Sequence, residues 1–297
     1  MSGQLKIACI GEAMIELAFD GKTPLVSFAG DTLNTAIYLR RHLPSQFSVS
    51  FVSVVGCDPF SQQMLDFIEA EGVATDDIVK HPSLLPGLYA INTDSDGERS
   101  FLYWRENSAA RSLFEGGFAQ LEEFDVIYFS AITLAILPAA IREGFLAWLK
   151  DCSKTIIFDS NYRPKLWPDV ATARSAVEAA WRLTDVGLPS VDDEMDLYGE
   201  QSEQDVMSRL TGWGVHQGAL KRGSLGPRDM DPDSSTVATF EKAKSVVDTT
   251  AAGDSFNGGF IGSYLQDRDA TRAMMSGHNC SVAVIGQKGA IIPADLG

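Results

Sequence analysis

Short apolar runs alternate with amphipathic stretches along most of this chain. Six runs have the length and the composition of buried strands, at 7–10, 51–55, 126–129, 156–159, 186–189 and 219–221. Four stretches between them repeat apolar residues at helical spacing, at 32–43, 60–71, 138–150 and 171–183. This alternation predicts an α/β domain with a mostly parallel sheet, and the ligands of such sheets bind beyond the carboxyl ends of the strands.

Two stretches break the alternation. Residues 12–30 contain two short strand-like pieces around Asp20-Gly21. Residues 86–104 contain two alternating runs around Asp96-Gly97, which is a hairpin signal. Together they predict a small antiparallel sheet outside the main one.

Composition narrows the class of protein. A chain of 297 residues, 45% of them apolar, is long enough for one large globular domain or for a domain with a small appendage. No apolar run reaches the ~18 residues of a membrane span, and the N-terminal segment lacks a secretory signal pattern, so we expect a cytoplasmic protein. The net charge of −16 argues against nucleic acid or an anionic membrane surface as a partner.

The cysteines and histidines are scattered along the chain. The positions are Cys9, Cys57, Cys152, Cys280, His42, His81, His216 and His278. They form no CxxC pair, zinc pattern or catalytic triad, so reduced thiols are the expectation.

The segment 248–260, DTTAAGDSFNGGF, carries the strongest chemical signal. We expect the residues just before it, Ser245–Val247, to form a strand and those after it to form a helix. The small residues Ala251, Ala252 and Gly253 would let a phosphate approach the free amides at the first turn of that helix. Asp254 could there take a proton from an attacking hydroxyl group. The alternative is an ordinary strand-to-helix connection in which Asp254 acts only through the helix dipole.

Other polar residues are candidates for binding a small molecule. Asp31 and Asn34, beside Gly30, could bind hydroxyl groups, although an N-cap role alone would explain Asp31. Tyr89 and Tyr103 can lie on one face of the predicted hairpin.

Two arginines suit an anionic ligand. Arg105 lies two residues beyond Tyr103 and so can share its face, and Arg163 follows a strand end, in FDSNYRP. Either could grip a carboxylate. The alternatives are a solvated hairpin face for Arg105 and a structural turn with an exposed arginine for Arg163.

DTTAAGD resembles the DTxGAGD signature of the ribokinase-like (PfkB) sugar kinases. The resemblance implies that Asp254 is the catalytic base and that Ala251, Ala252 and Gly253 form the anion hole. Ala251 stands where the signature has glycine. We expect the change to be mild provided that this position does not need a positive φ.

The same resemblance implies an architecture. Residues 1–297 would form a single ribokinase-like domain, with a central parallel sheet and a small β-sheet lid formed by about 12–30 and 86–106. In many members of the family the lid also pairs subunits, so a homodimer or higher homo-oligomer is expected.

Motifs spread over the whole chain, among them GEAMIEL, YWR and NYRPKLW, resemble the branch of the family that acts on keto-deoxy sugar acids. This implies ATP-dependent phosphorylation of such an acid at its 6-hydroxyl group. The residues implied for the sugar site are Gly30, Asp31, Asn34, Tyr89, Tyr103, Arg105 and Arg163. The alternatives are a sibling kinase for another sugar or sugar acid and a non-catalytic sugar-acid sensor.

The resemblance also implies a nucleotide site and Mg²⁺. The residues implied for ATP are Asn161, Lys221, Gly223, Gly226 and Asn279. Glu194 would act on the metal indirectly, in the sequence VDDE, where Val191 replaces the asparagine of the family's NxxE element. Asp192 and Asp193 could instead be solvated acids of a helix N-terminus.

Overall fold

A computed structural model describes residues 5–20, 23–93, 99–234 and 238–294. Its strands, in chain order, are β1 Leu5–Ile10, β2 Met14–Asp20, β3 Thr23–Ala29, β4 Phe47–Val55, β5 Ile78–Lys80, β6 Gly87–Thr93, β7 Arg99–Trp104, β8 Val126–Ser130, β9 Thr155–Asp159, β10 Val186–Leu188, β11 Ala219–Leu220 and β12 Arg228–Asp229. Its α-helices are α1 Asp31–His42, α2 Pro59–Ala70, α3 Ala131–Ile136, α4 Ala139–Asp151, α5 Val170–Trp181, α6 Val191–Tyr198, α7 Glu203–Gly212, α8 Ala252–Asp267 and α9 Ala270–Ile285. No helix of the described ranges is long and apolar enough to cross a membrane.

The central sheet has six strands in the order β10-β9-β8-β1-β4-β5, all parallel. Alternate side chains of β1 enter two hydrophobic cores: Ala8 and Ile10 pack on one face, Ile7 and Cys9 on the other. Helices α3 to α7 cover the first face, and α1, α2, α8 and α9 cover the second. Burial on both faces explains why the strands are continuous apolar runs. The predicted α/β class is confirmed.

A second sheet lies outside the first, in the order β3-β2-β6-β7. The prediction of an antiparallel sheet holds for the β2–β3 and β6–β7 pairs, but it is wrong for the inner pair, because β2 and β6 run parallel. Each hairpin signal in the sequence predicts only the pairing of the two strands within that hairpin. How the two hairpins lie beside each other depends on tertiary contacts, which the local sequence does not indicate. Gly21 and Asp96-Gly97 lie outside the described residues.

The expected strand at Ser245–Val247 is also wrong. These residues form no strand, and the side chains of Val246 and Val247 are exposed. The amide of Val247 donates to the carbonyl of Ile285 at 2.8 Å, at the end of α9. Val246 and Val247 therefore lie on the surface rather than in the sheet. Their intrinsic preference for strands does not reveal this, because strand formation depends on the tertiary surroundings.

Candidate active site

One cavity of about 1070 Å³ lies between the second sheet, the loops that follow the central strands, and the N-terminus of α8. Fourteen of the seventeen residues predicted for a site line it: Gly30, Asp31, Asn34, Tyr89, Tyr103, Arg105, Asn161, Arg163, Lys221, Gly223, Ala251, Ala252, Gly253 and Asp254. The structure does not bring Glu194, Gly226 or Asn279 to it. The cavity thus unites segments from the first 30 residues to beyond residue 250.

Asp254 lies in the first turn of α8, facing α1. Its Oδ2 accepts a hydrogen bond from Nδ2 of Asn34 at 2.8 Å, and its backbone carbonyl accepts one from Oγ1 of Thr35 at 3.1 Å. Burial, followed by the nearby charge of Asp31, raises the pKa of Asp254 to about 8. A carboxyl group whose pKa is close to neutral can exchange a proton with a substrate near physiological pH.

Ala251 has a left-handed backbone, with φ 59° and ψ 18°. The position therefore does need positive φ, and the expectation that alanine is a mild change here is wrong. For a non-glycine residue this conformation costs about 1–2 kcal/mol. The strain lies at the N-cap of α8, where no side chain caps the helix.

The amides of the first turn of α8 differ in availability. The N–H of Ala252 donates to the carbonyl of Thr249 at 3.2 Å, and that of Ser255 donates to Ala251 at 2.9 Å. Within the described residues, the N–H groups of Gly253 and Asp254 have no backbone acceptor. These two amides are therefore available to an anion, whereas that of Ala252 is already engaged.

Asp31 is the first residue of α1 and does not cap it. Gly30 is the N-cap, and a Cβ at Gly30 would collide with the carbonyl oxygen of Glu12. Oδ2 of Asp31 accepts hydrogen bonds from Oγ of Ser130 at 2.5 Å and from Nδ2 of Asn161 at 3.0 Å. Burial raises the pKa of Asp31. Asn161 thus lies beside a residue expected in the sugar site, although the resemblance assigned it to the nucleotide.

The face of the second sheet that lines the cavity is aromatic. Tyr89 and Tyr103 are directly opposite each other on β6 and β7, with ring centroids 5.7 Å apart. Phe101, two residues before Tyr103, also lines the cavity and was missed, although the same alternation would have indicated it. The hydroxyl group of Tyr89 donates to Glu16, which fixes the orientation of that ring.

The two arginines predicted for the sugar site, Arg105 and Arg163, each already have an acidic partner. Arg105 is buried and donates through Nη2 to the buried Glu12, while its Nε and Oε1 of Glu12 have no partner among the described residues. Arg163 is half exposed and donates through Nη1 to Oδ1 of Asp193 at 3.2 Å. Sequence reasoning paired neither arginine with its acid, because pairing across distant segments leaves no local pattern.

Two residues predicted for the nucleotide, Asn279 and Gly226, do not line the cavity. His278 lines the cavity, while the neighbouring Asn279 is exposed to solvent. Successive residues of a helix are about 100° apart around its axis, so these two neighbours face different surroundings. Gly226 packs against Phe240 instead of lining the cavity, whereas Gly223 does line it.

Glu194 is fully buried and faces away from the cavity. Its Oε1 accepts from Nε1 of Trp181 at 3.1 Å and its Oε2 from Nη2 of Arg209 at 2.9 Å. Both oxygens are occupied, so this geometry does not suit the predicted metal role. The neighbouring Asp192 and Asp193 line the cavity instead. No cluster of three or more His, Cys, Asp or Glu side chains suited to a metal occurs in the described part of the chain.

Comparison with known proteins identifies the family. The sequence profile of the pfkB family carbohydrate kinases matches residues 4–296. The chain belongs to the pfkB family of carbohydrate kinases.

Two relatives and one solved structure resemble this pfkB family chain closely. It is 39% identical over 305 residues to the 2-dehydro-3-deoxygluconokinase of Escherichia coli strain K12, covering 98% of each chain. It is 41% identical over 301 residues to the enzyme of the same name from Dickeya dadantii strain 3937, covering 97% of each. Its fold matches a putative ribokinase II of E. coli in complex with ATP and Mg²⁺, with a TM-score of 0.84 and 21% identity over 96% of this chain and 94% of that one. The expected ribokinase-like fold is confirmed.

Proposed function

We propose that this pfkB family kinase transfers the γ-phosphoryl group of ATP to the 6-hydroxyl group of 2-keto-3-deoxy-D-gluconate, also called 2-dehydro-3-deoxy-D-gluconate. The relatives named for this activity support the substrate. The observation that carries the proposal is the position of Asp254, in the same cavity as Tyr103, Arg105 and Arg163 and beside the free amides of α8.

In the proposed step the 6-oxygen attacks the γ-phosphorus. The bond from that phosphorus to the β–γ bridging oxygen breaks, and its electron pair leaves with ADP. The hydroxyl proton passes to the ionised carboxylate of Asp254, which Asn34 orients through its 2.8 Å hydrogen bond. The amides of Gly253 and Asp254 donate to the oxygens of the transferring group, where charge is stabilised without reorganisation of the protein.

The arginines would recognise the sugar carboxylate. Arg163 is half exposed at the cavity, so a ligand carboxylate can reach its guanidinium beside the 3.2 Å contact with Asp193. Arg105 is held by Glu12, so its guanidinium presents a fixed donor edge. The second sheet, acting as a lid on the large domain, would cover the sugar and exclude water, which protects the phosphoryl group from hydrolysis.

Mg²⁺ fits this cavity as an ion carried by the nucleotide. Mg²⁺ in kinases retains several waters and needs only one or two protein carboxylates besides the phosphates, so the lack of a three-ligand cluster in the described ranges is compatible with it. Asp192 and Asp193, two of the carboxylates that line the cavity, would hold it. When bound, the ion would neutralise charge on the β- and γ-phosphates. Since ATP is the donor, we expect the reaction to take place in the cytoplasm.

The outer face of the second sheet supports pairing of subunits. Leu102 and Trp104 alternate with the cavity-lining Phe101 and Tyr103, so they point away from the cavity, and they are 53% and 59% exposed. A contiguous exposed apolar patch on an edge strand is typical of an interaction site. A second copy of this chain, docked sheet to sheet, is the partner we expect.

The direct test is a coupled assay of ADP formation over a panel of acceptors: 2-keto-3-deoxy-D-gluconate, its galactonate epimer, fructose and ribose. We expect the gluconate derivative to have the highest kcat/KM. A higher value for fructose or ribose would identify a sibling kinase. Binding of the sugar acid without ADP formation would identify a sensor.

A further inference from the structure

The side chain of Lys221 is held at a defined point of the cavity. Lys221 follows β11, and its backbone makes two hydrogen bonds. Its N–H donates to the carbonyl of Pro189 at 2.7 Å, and its carbonyl accepts from the N–H of Val191 at 3.0 Å. Its Nζ donates to Oδ1 of Asp159 at 2.7 Å and to Oδ1 of Asn257 at 3.1 Å. An ammonium group with two side-chain acceptors and a fixed backbone has little freedom to follow a mobile ligand.

The two acceptors form a closed network with the lysine. Asp159, the last residue of β9, is only 2% exposed, and Asn257 of α8 is completely buried. Nδ2 of Asn257 donates to Oδ2 of Asp159 at 2.9 Å and lies 3.2 Å from the hydroxyl oxygen of Tyr128. The network therefore ties the carboxyl end of the central sheet to α8. Because desolvation offsets most of the attraction in a buried ion pair, such a pair contributes more to orientation than to stability.

The ammonium group also lies against the first turn of α8. A Cβ placed on Gly253 would be 3.8 Å from Nζ of Lys221, so the charge is next to the turn whose free amides belong to Gly253 and Asp254. His278, by contrast, reaches the cavity from α9. Lys221 thus neighbours the anion cradle itself.

We propose that Asp159 is a positioning residue that holds the Lys221 ammonium at the cradle, where it binds the transferring phosphoryl group together with the amides of Gly253 and Asp254. This rests on the proposed function. It differs from a role for Lys221 in holding the nucleotide in the ground state, because a charge at the cradle acts most strongly when negative charge shifts during transfer. Loss of Lys221 should then lower kcat far more than it raises the KM for ATP.

The test is a double-mutant cycle in steady-state kinetics, with Lys221→Met, Asp159→Asn and the double variant. We expect Lys221→Met to lower kcat by about 10²- to 10³-fold with the KM for ATP changed less than about threefold, in the range found when one transition-state donor is removed. Asp159→Asn should lower kcat by about tenfold or more. All variants are compared at pH 9, where Asp254 is mostly ionised and the effect of the Asp159 charge on its pKa matters least. There the double variant should equal Lys221→Met within about threefold, since Asp159 acts on the phosphoryl group through the lysine. Asp185→Asn is the control, because this acid accepts from Ile156 at the opposite end of β9 and should leave kcat unchanged.

Folding does not obscure the outcome. Lys221→Met leaves the buried Asp159 carboxylate without its cation and is therefore the variant expected to be least stable. The double variant removes both charges, so its melting temperature should be close to that of the wild type. A low kcat in this stable double variant then tests whether the Lys221 ammonium assists the phosphoryl transfer. A rise of more than about tenfold in the KM for ATP at unchanged kcat would overturn the inference, as would a double variant whose loss is the product of the two single losses. Lack of ADP formation by the wild type with every acceptor would overturn the proposed function itself.

Discussion

The side-chain amide of Asn34 donates to the carboxylate of Asp254 at 2.8 Å, although the two residues are 220 positions apart in the chain. One comes from the first turn of α1 and the other from the first turn of α8, and both helices cover the same face of the central sheet. The contact therefore joins the start and the end of the domain at the point where the proposed chemistry takes place.

The pH dependence of turnover should report the pKa of Asp254. In the free protein this pKa is raised to about 8, first by burial and then by the charges of Asp31 and Asp159, while Lys221 opposes the rise. Only the ionised carboxylate can accept the hydroxyl proton. We therefore expect kcat/KM for the sugar to rise roughly tenfold per pH unit below pH 8 and to level off above it. A profile that is flat between pH 6 and 9, at saturating ATP and Mg²⁺, would contradict the assignment.

The same raised pKa predicts an effect on stability. An unfolded Asp binds its proton only below about pH 4, whereas folded Asp254 holds it up to about pH 8, so the folded state is favoured at low pH and loses this contribution as pH rises from about 4 to 8. In Asp254→Asn the side chain no longer titrates, so the variant does not lose this stabilisation as the pH rises. At pH 8 the variant should unfold at a melting temperature at least roughly 2 °C above the wild type, and the difference should shrink towards pH 5. The exposed Asp151→Asn is the control, and an Asp254→Asn variant that gains nothing at pH 8 relative to pH 5 would refute this prediction.

Ala251→Gly should relieve the left-handed strain at the N-cap of α8. We expect a gain of up to about 1 kcal/mol in the free energy of unfolding, part of the relief being offset by the greater freedom of glycine in the unfolded chain. The matched control is Ala252→Gly, one residue later and inside the helix, which should lose about 0.5–1 kcal/mol. Denaturant titration of both variants measures the difference, and equal losses would show that Ala251 is not strained.

Arg163→Ala should weaken sugar binding without unfolding the protein, because the side chain is half exposed. Loss of a charged hydrogen bond of about 1.5–3 kcal/mol corresponds to a rise of roughly 10- to 100-fold in the KM for the sugar acid. Arg105→Lys is the milder change at the buried position, since it leaves Glu12 with a cation. Arg111→Ala, outside the cavity, is the control. An unchanged KM in both site variants would favour a neutral sugar as substrate.

Pairing through the second sheet predicts that Trp104→Glu shifts the protein to monomers in sedimentation or light-scattering measurements. The control is Val170→Glu, which changes another exposed apolar residue, 47% exposed, at the start of α5. A wild type that is monomeric at micromolar concentration would contradict the proposal.

The sequence predicts five of the six strands of the central sheet, because these strands are buried on both faces and so carry unbroken apolar runs. It misses the edge strand β5, in which only Ile78 is buried, and the predicted run at 219–221 contributes to a separate two-stranded sheet instead. It predicts poorly which of two neighbouring helical residues faces the cavity, because they differ only by one step around the helix. His278 lines the cavity and Asn279 does not, and Asp193 lines it while Glu194 does not. The alanine at position 251 does not itself indicate its positive φ, since alanine ordinarily adopts a right-handed conformation, and only the glycine of the family signature pointed to it.

The pairing of Arg105 with Glu12 also escaped prediction. The two residues lie 93 positions apart, one after β7 and the other between β1 and β2. No local periodicity links them, and only the docking of the second sheet brings them together.

The most direct test of the account is the turnover of Asp254→Asn with 2-keto-3-deoxy-D-gluconate and ATP, alongside calorimetric binding of the sugar. The variant keeps the shape of the side chain but cannot accept a proton. We expect kcat to fall by about 10²- to 10⁴-fold, the range for a lost general base, while the sugar still binds within about fivefold of wild-type affinity. A kcat close to that of the wild type would show that Asp254 is not the base.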